Sequence, residues 1–126
     1  MEKVESTKSA GKRERLRVLV ADDDELAVGE ALGALTVPVP ASEGKGVRGE
    51  SKTDPTIEFD VVICRRGEEA IRTIRDAASG NHPIAVAFLD YHMPPGISGL
   101  TAAEEIRVHD TEVEIVIVGA PEELAA

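Results

Sequence analysis

The chain has 126 residues, a net charge of −10 from 24 acidic and 14 basic residues, and a single cysteine. This length is that of one domain, and the excess of acids argues against binding to nucleic acid or an anionic membrane through a broad basic surface. The lone cysteine excludes an internal disulfide and is typical of a reducing compartment. Because no apolar run approaches the ~20 residues of a membrane span, we expect a cytoplasmic protein.

The first third of the chain predicts an arm, a strand, a helix and a long loop. Residues 1–15 are polar and mixed in charge, which predicts a flexible N-terminal arm before a domain that spans residues 16–126. The apolar run RLRVLVA predicts a buried first strand, and ELAVGEALGAL carries apolar residues at helical spacing. Residues 37–56 are rich in proline and glycine and poor in large apolar groups, which predicts a loop insert.

The remaining sequence alternates strand and helix patterns. TIEFDVVIC, PIAVAFLD and VEIVIVGAP predict three further buried strands, while GEEAIRTIRDAASGN and SGLTAAEEIRVHD predict helices between them. In the last helix, Leu100, Ala103 and Ile106 are expected to face inward. Alternation of this kind, with nearly continuous apolar strands, predicts an α/β fold in which helices cover both faces of a parallel sheet.

Acidic residues follow two of the predicted strands. Asp22, Asp23 and Asp24 come after the first strand, and Asp90 comes after the third. If these strands are neighbours, their acids converge at the carboxyl edge of the sheet, where α/β proteins bind ligands. Carboxylates so close repel one another unless a cation joins them, and an oxygen-only ligand set open to water suits Mg²⁺. A carboxylate beside such a metal can attack a phosphoryl group.

The combination of these motifs resembles the receiver domain of two-component response regulators. The likeness lies in RVLVADDDELAVGEAL, FDVVICRRGEEAI, VAFLDYHMPPGISGLTAAEEIR and VEIVIVGA, and it covers residues 16 to about 120 apart from the insert. The resemblance implies a flavodoxin-like, doubly wound parallel sheet with the strand order 2-1-3-4. It further implies a phosphoprotein of a phosphorelay rather than an enzyme, with only slow phosphorylation and dephosphorylation of its own.

The resemblance also implies roles for individual residues. Asp90 is the phosphoacceptor, which takes its phosphoryl group from a histidine kinase or a phosphotransfer protein. Asp22, Asp23 and Asp90, together with the backbone carbonyl of His92, hold Mg²⁺. The side chain of His92 either overhangs the site or is a solvated loop residue, and Asp24 falls outside the metal pair.

Two features depart from the family pattern. The switch position at the end of the fourth strand, a serine or threonine in the family, is Gly119 here and lacks a hydroxyl. The fifth strand, its lysine and the helix after it are not recognisable, and no lysine follows Lys52. The fourth strand is therefore expected to be an open sheet edge that pairs with another copy of the chain or a partner.

Three functions remain open on these residues. The first is a working phosphoacceptor receiver. The second is a pseudo-receiver, an interaction module that keeps the acids but no longer switches by phosphorylation. The third is a phosphotransfer enzyme of the haloacid-dehalogenase type, which also uses an aspartate at a strand tip but requires a second acid where this chain has His92.

Overall fold

The computed structural model describes residues 14–39, 46–120 and 122, and these form one mixed sheet of six strands with three helices. The strands are β1 (Glu14–Ala21), β2 (Thr36–Val39), β3 (Val47–Ser51), β4 (Ile57–Cys64), β5 (Val86–Asp90) and β6 (Glu114–Val118). The helices are α1 (Glu25–Leu35), α2 (Gly67–Ala78) and α3 (Gly99–His109). The predicted α/β class is confirmed, and no helix within the described ranges is long and apolar enough to cross a membrane.

The sheet has the order β2-β3-β4-β1-β5-β6. Strands β4, β1, β5 and β6 run parallel to one another, whereas β2 and β3 are antiparallel additions beside β4. The carboxyl ends of the four parallel strands therefore lie at one edge of the sheet, because parallel strands end on the same side. The residues that follow β1 and β5 come together at that edge.

Each face of the sheet has its own core. On one face α2 and α3 pack on Leu19, Leu89 and their neighbours through Ile74 and Ile106, all buried. On the other face α1 packs through Val28 on a smaller cluster formed by Val18, Val20 and Val61. Side chains alternate between the two faces along each strand, and this is why residues 18–21 of β1 are all apolar and all buried.

The predicted loop insert at residues 37–56 is wrong at residues 37–39 and 47–51, because β2 and β3 pair there as a hairpin. Pro38 is tolerated since β2 is the edge strand, where a missing backbone N–H need not interrupt the ladder. Gly49 faces Thr36 across the hairpin, with Thr36 Cβ only 2.6 Å from where a side-chain carbon would lie at Gly49. Residues 40–45 of the insert lie outside the described residues.

Ion pairs fasten the hairpin to the rest of the sheet. Arg48 of β3 lies 3.0 Å from Glu58 and 3.6 Å from Asp60 of β4, and Arg15 of β1 lies 2.9 Å from Asp60. Charged side chains thus link β3 and β1 to β4 in a part of the sheet where the alternation of apolar residues is absent. This cross-strand charge pattern is the feature that a search for apolar alternation does not detect.

Two further predictions need correction. The arm was expected to include residues 14 and 15, but both belong to β1, where Glu14 pairs with Ile57; residues 1–13 lie outside the described residues. The prediction that Leu100 faces the core is wrong, because Leu100 is 49% exposed. Ile106 is buried as predicted, Ala103 is partly buried against the core, and Ala102 is a buried residue that the prediction missed.

Candidate metal and phosphoacceptor site

Three carboxylates converge at the carboxyl edge of the sheet. The pairing of Ala21 with Leu89 in the parallel ladder places Asp22, just after β1, beside Asp90 at the end of β5. One carboxylate oxygen of each of Asp22, Asp23 and Asp90 lies within 4.8 Å of the others. The predicted convergence of Asp22 and Asp23 with Asp90 is therefore observed.

The carboxyl of Asp90 is the most perturbed group of this cluster. Partial burial, together with the charges of Asp22 and Asp23, raises the pKa of Asp90 from 3.8 to about 6, while a hydrogen bond from the backbone N–H of His92 opposes that rise. A carboxylate that is hard to ionise gains from a nearby cation, because the cation offsets both the burial and the repulsion. A cation bound beside Asp90 would therefore favour its ionised form.

The third acid of the DDD run, Asp24, has a different task. Its side chain accepts a hydrogen bond from the backbone N–H of Leu26 at 3.0 Å, so Asp24 is the N-cap of α1. Its own backbone N–H donates to Asp22 Oδ1 at 3.0 Å. Asp24 therefore starts the helix and orients Asp22, and its exclusion from the metal pair stays a prediction.

The loop after Asp90 is tied to its neighbours through the backbone. Tyr91 N–H donates to the carbonyl of Val118 at 2.7 Å, and Gly99 N–H donates to the carbonyl of Tyr91 at 2.8 Å. A methyl group on Gly99 would overlap the backbone carbonyl of Asp90, so only glycine fits at the start of α3. Two backbone hydrogen bonds and one close approach thus fix the position of Asp90.

His92 and Gly119 lie where the chain leaves β5 and β6. The side chain of His92 is exposed, and the residue contributes the backbone N–H described above. Because Asp90 pairs with Val118, Gly119 follows directly beside Asp90 and brings no side chain to the edge of the sheet. The expected metal contact of the His92 carbonyl stays a prediction.

The donor set fits a hard divalent cation. Three carboxylates supply only oxygen ligands, and one oxygen of each lies close enough to the others to contact a single ion. Mg²⁺ prefers one or two carboxylates and retains several waters, so Asp22, Asp23 and Asp90 match its requirements in charge and chemistry.

Comparison with protein-family models found no match, and comparison with curated proteins found none. The case for a function consequently depends on the residues and their geometry.

Sequence reasoning did not find two contacts that shape the site. Arg65, just after β4, lies 3.2 Å from Glu25 in the first turn of α1, so a salt bridge crosses the rim beside Asp22. Glu69 accepts a hydrogen bond from the backbone N–H of Arg65 at 2.9 Å and fixes the same turn. The first pair forms no recognisable motif, because its partners are 40 residues apart in the sequence.

Proposed function

We propose that this chain is a receiver domain of two-component signalling and that Asp90 accepts a phosphoryl group from a histidine kinase or a phosphotransfer protein. The domain then acts in the cytoplasm as a phosphorylated switch, not as an enzyme with a turned-over substrate. The order of its four parallel strands, β4-β1-β5-β6, supports a flavodoxin-like sheet of order 2-1-3-4 that is extended by the β2-β3 hairpin.

One observation carries this proposal. The carboxylates of Asp22, Asp23 and Asp90 lie within 4.8 Å at the end of two neighbouring parallel strands. Acids that only cap helices gain nothing from such crowding, as the raised pKa of Asp90 shows. A set of acids held together at an energetic cost is typical of a site that binds a cation or reacts.

The chemistry follows from the roles of the three acids. Asp22 and Asp23 would hold Mg²⁺, which supplies positive charge to the oxygens of the incoming phosphoryl group. The ionised carboxylate of Asp90 attacks phosphorus in line with the bond to the donor. That phosphorus–nitrogen bond breaks with its electron pair on the donor imidazole, and an acyl phosphate forms on Asp90. Water later attacks the phosphorus, the bond between phosphorus and the carboxyl oxygen breaks, and inorganic phosphate leaves as the Asp90 carboxylate is restored.

The direct test is the mass of the intact protein after incubation with Mg²⁺ and acetyl phosphate. We expect one added phosphoryl group that is absent in Asp90→Asn and retained in Asp76→Asn, an exposed acid of α2. EDTA is expected to abolish the adduct in the unchanged protein. Modification of Asp90→Asn to the same extent as the unchanged protein would disprove the assignment of Asp90.

A pseudo-receiver is the second candidate, and Gly119 is the observation that favours it. No hydroxyl from this position can donate to a phosphoryl group on Asp90, and a charge-assisted hydrogen bond of this kind is worth about 1.5–3 kcal/mol. Binding of Mg²⁺ in isothermal titration, combined with no adduct at any concentration of phosphodonor, would identify this candidate. A pseudo-receiver keeps the acidic cluster that binds the metal and uses the domain only to bind partner proteins.

A further inference from the structure

One face of the sheet is only half covered. Helix α1 packs over β1 and β4, and within the described residues no helix lies over β5 and β6 on that side. Val116 and Val118 of β6 are consequently 40% and 51% exposed, although they belong to an apolar strand. An apolar sheet face left open in this way is typical of a surface that another element covers.

A trough runs between this open face and α1. Its cavity measures about 420 Å³. The apolar residues that define the trough are Ala27, Ala31 and Leu35 from α1, and Val20, Phe88 and Val118 from the sheet. Small side chains along this side of α1 allow a second helix to approach closely, as ridge-and-groove packing requires.

The polar groups of the trough are all acidic. Asp22 and Asp90 line the end at the carboxyl edge of the sheet, and Glu30 lines the α1 side. Helix α1 contains no lysine or arginine that could neutralise them. The trough thus offers an apolar floor with negative charge at one end, and an occupant that complements it is apolar along one side and basic at the corresponding end.

We propose that this trough binds an amphipathic helix of a partner protein whose basic side chain reaches Asp22 and Asp90. A helix suits the dimensions, because five-residue strands span roughly 17 Å and about 11 helical residues cover that length. A second copy of this chain is disfavoured, since each copy has a net charge of −10 and would bring the same acidic rim to the contact. The described helices α2 and α3 also already bury their apolar faces.

The test uses two synthetic helical peptides that differ in one charge. Both carry a stripe of leucine and alanine; the first has a lysine at one end of the stripe, and the second has a glutamate there. Fluorescence anisotropy in EDTA and low salt, without phosphodonor, is expected to show about tenfold tighter binding of the lysine peptide. High salt is expected to reduce that ratio, because partly exposed charges are screened.

Two variants locate the binding surface. Val118→Asn replaces apolar surface of the trough by a polar amide without adding charge beside Asp90, and it is expected to weaken the lysine peptide at least about tenfold. Val108→Asn makes the same change at a valine of α3 that is 74% exposed, outside the trough, and is expected to leave binding unchanged. Amide chemical shifts of Ala31, Phe88 and Val118 should move on binding, whereas those of α3 should not. Circular dichroism verifies that both variants are folded.

Several results would overturn the proposal. Equal affinity for the two peptides would show that charge complementarity does not contribute to binding. An equal loss of peptide affinity in both variants would show that the trough is not the binding site. Self-association of the unliganded protein in sedimentation, abolished by Val118→Asn, would identify a second copy as the occupant instead. None of these readouts depends on phosphorylation of Asp90, so the receiver proposal and the helix proposal can fail separately.

Discussion

Replacement of Asp90 by asparagine should make the metal-free protein more stable at neutral pH. Asparagine keeps the acceptor oxygen for the His92 N–H but removes the charge that Asp22 and Asp23 oppose. Because the folded protein raises the pKa of Asp90 from 3.8 to about 6, ionising this carboxyl costs folding free energy. The substitution removes that cost.

The magnitude follows from the pKa. A change of one in pKa corresponds to about 1.4 kcal/mol, so the difference between 3.8 and about 6 sets an upper limit of about 3 kcal/mol. Asp90 is only partly buried, and water screens its charge, so we expect a gain of about 1 kcal/mol in the free energy of unfolding.

The sign of the pH dependence is fixed by the direction of the shift. Between pH 4 and pH 6 the folded protein holds a proton on Asp90 that the unfolded chain has released, so the unchanged protein loses stability as the pH rises through this window. The advantage of Asp90→Asn is therefore full above pH 6, shrinks as the pH falls and disappears below about pH 4.

Urea denaturation in EDTA at several pH values between 4 and 8 measures this difference. Glu104→Gln, which removes one charge from the exposed surface of α3, corrects for the change in overall charge. The electrostatic reasoning would be refuted if Asp90→Asn gained the same free energy of unfolding at pH 4 and at pH 8. It would also be refuted if Asp90→Asn lost stability at pH 8 while Glu104→Gln did not.

Three further substitutions test the geometry around the site and the hairpin. Gly99→Ala should destabilise the protein by at least about 2 kcal/mol in urea titrations, because the added methyl group would overlap the backbone carbonyl of Asp90. Its control is Gly33→Ala in α1, where a methyl group meets open space; this substitution should stabilise the protein by about 0.5–1 kcal/mol. Gly119→Ser should raise the phosphorylated fraction in the intact-mass assay about tenfold by supplying a donor hydroxyl, and an unchanged fraction would contradict this role. Arg48→Ala should cost about 1–3 kcal/mol in urea titrations because Arg15 alone then faces the two largely buried carboxylates of Glu58 and Asp60, while Arg75→Ala, at an exposed pair, should cost below about 0.5 kcal/mol.

The candidate site was predictable to the extent that it depends on strand ends. Asp22 and Asp90 follow strands that are apolar on both faces, and such strands pair in a buried parallel sheet whose carboxyl edge gathers polar residues. The need for glycine at position 99 was not predictable, because the close approach is to the carbonyl of a residue in another element.

The amino-acid sequence by itself determined the elements whose apolar period is strong, namely the four parallel strands and the three helices between them. Tertiary structure decided the rest. The β2-β3 hairpin is held by Arg48 and its carboxylate partners, and charged cross-strand pairs produce no apolar period. Leu100 faces outward because the packing of α3 on the sheet selects Ala102 and Ile106. The trough beside α1 exists only because of where that helix lies on the sheet, and a helix's own sequence does not fix which strands it covers.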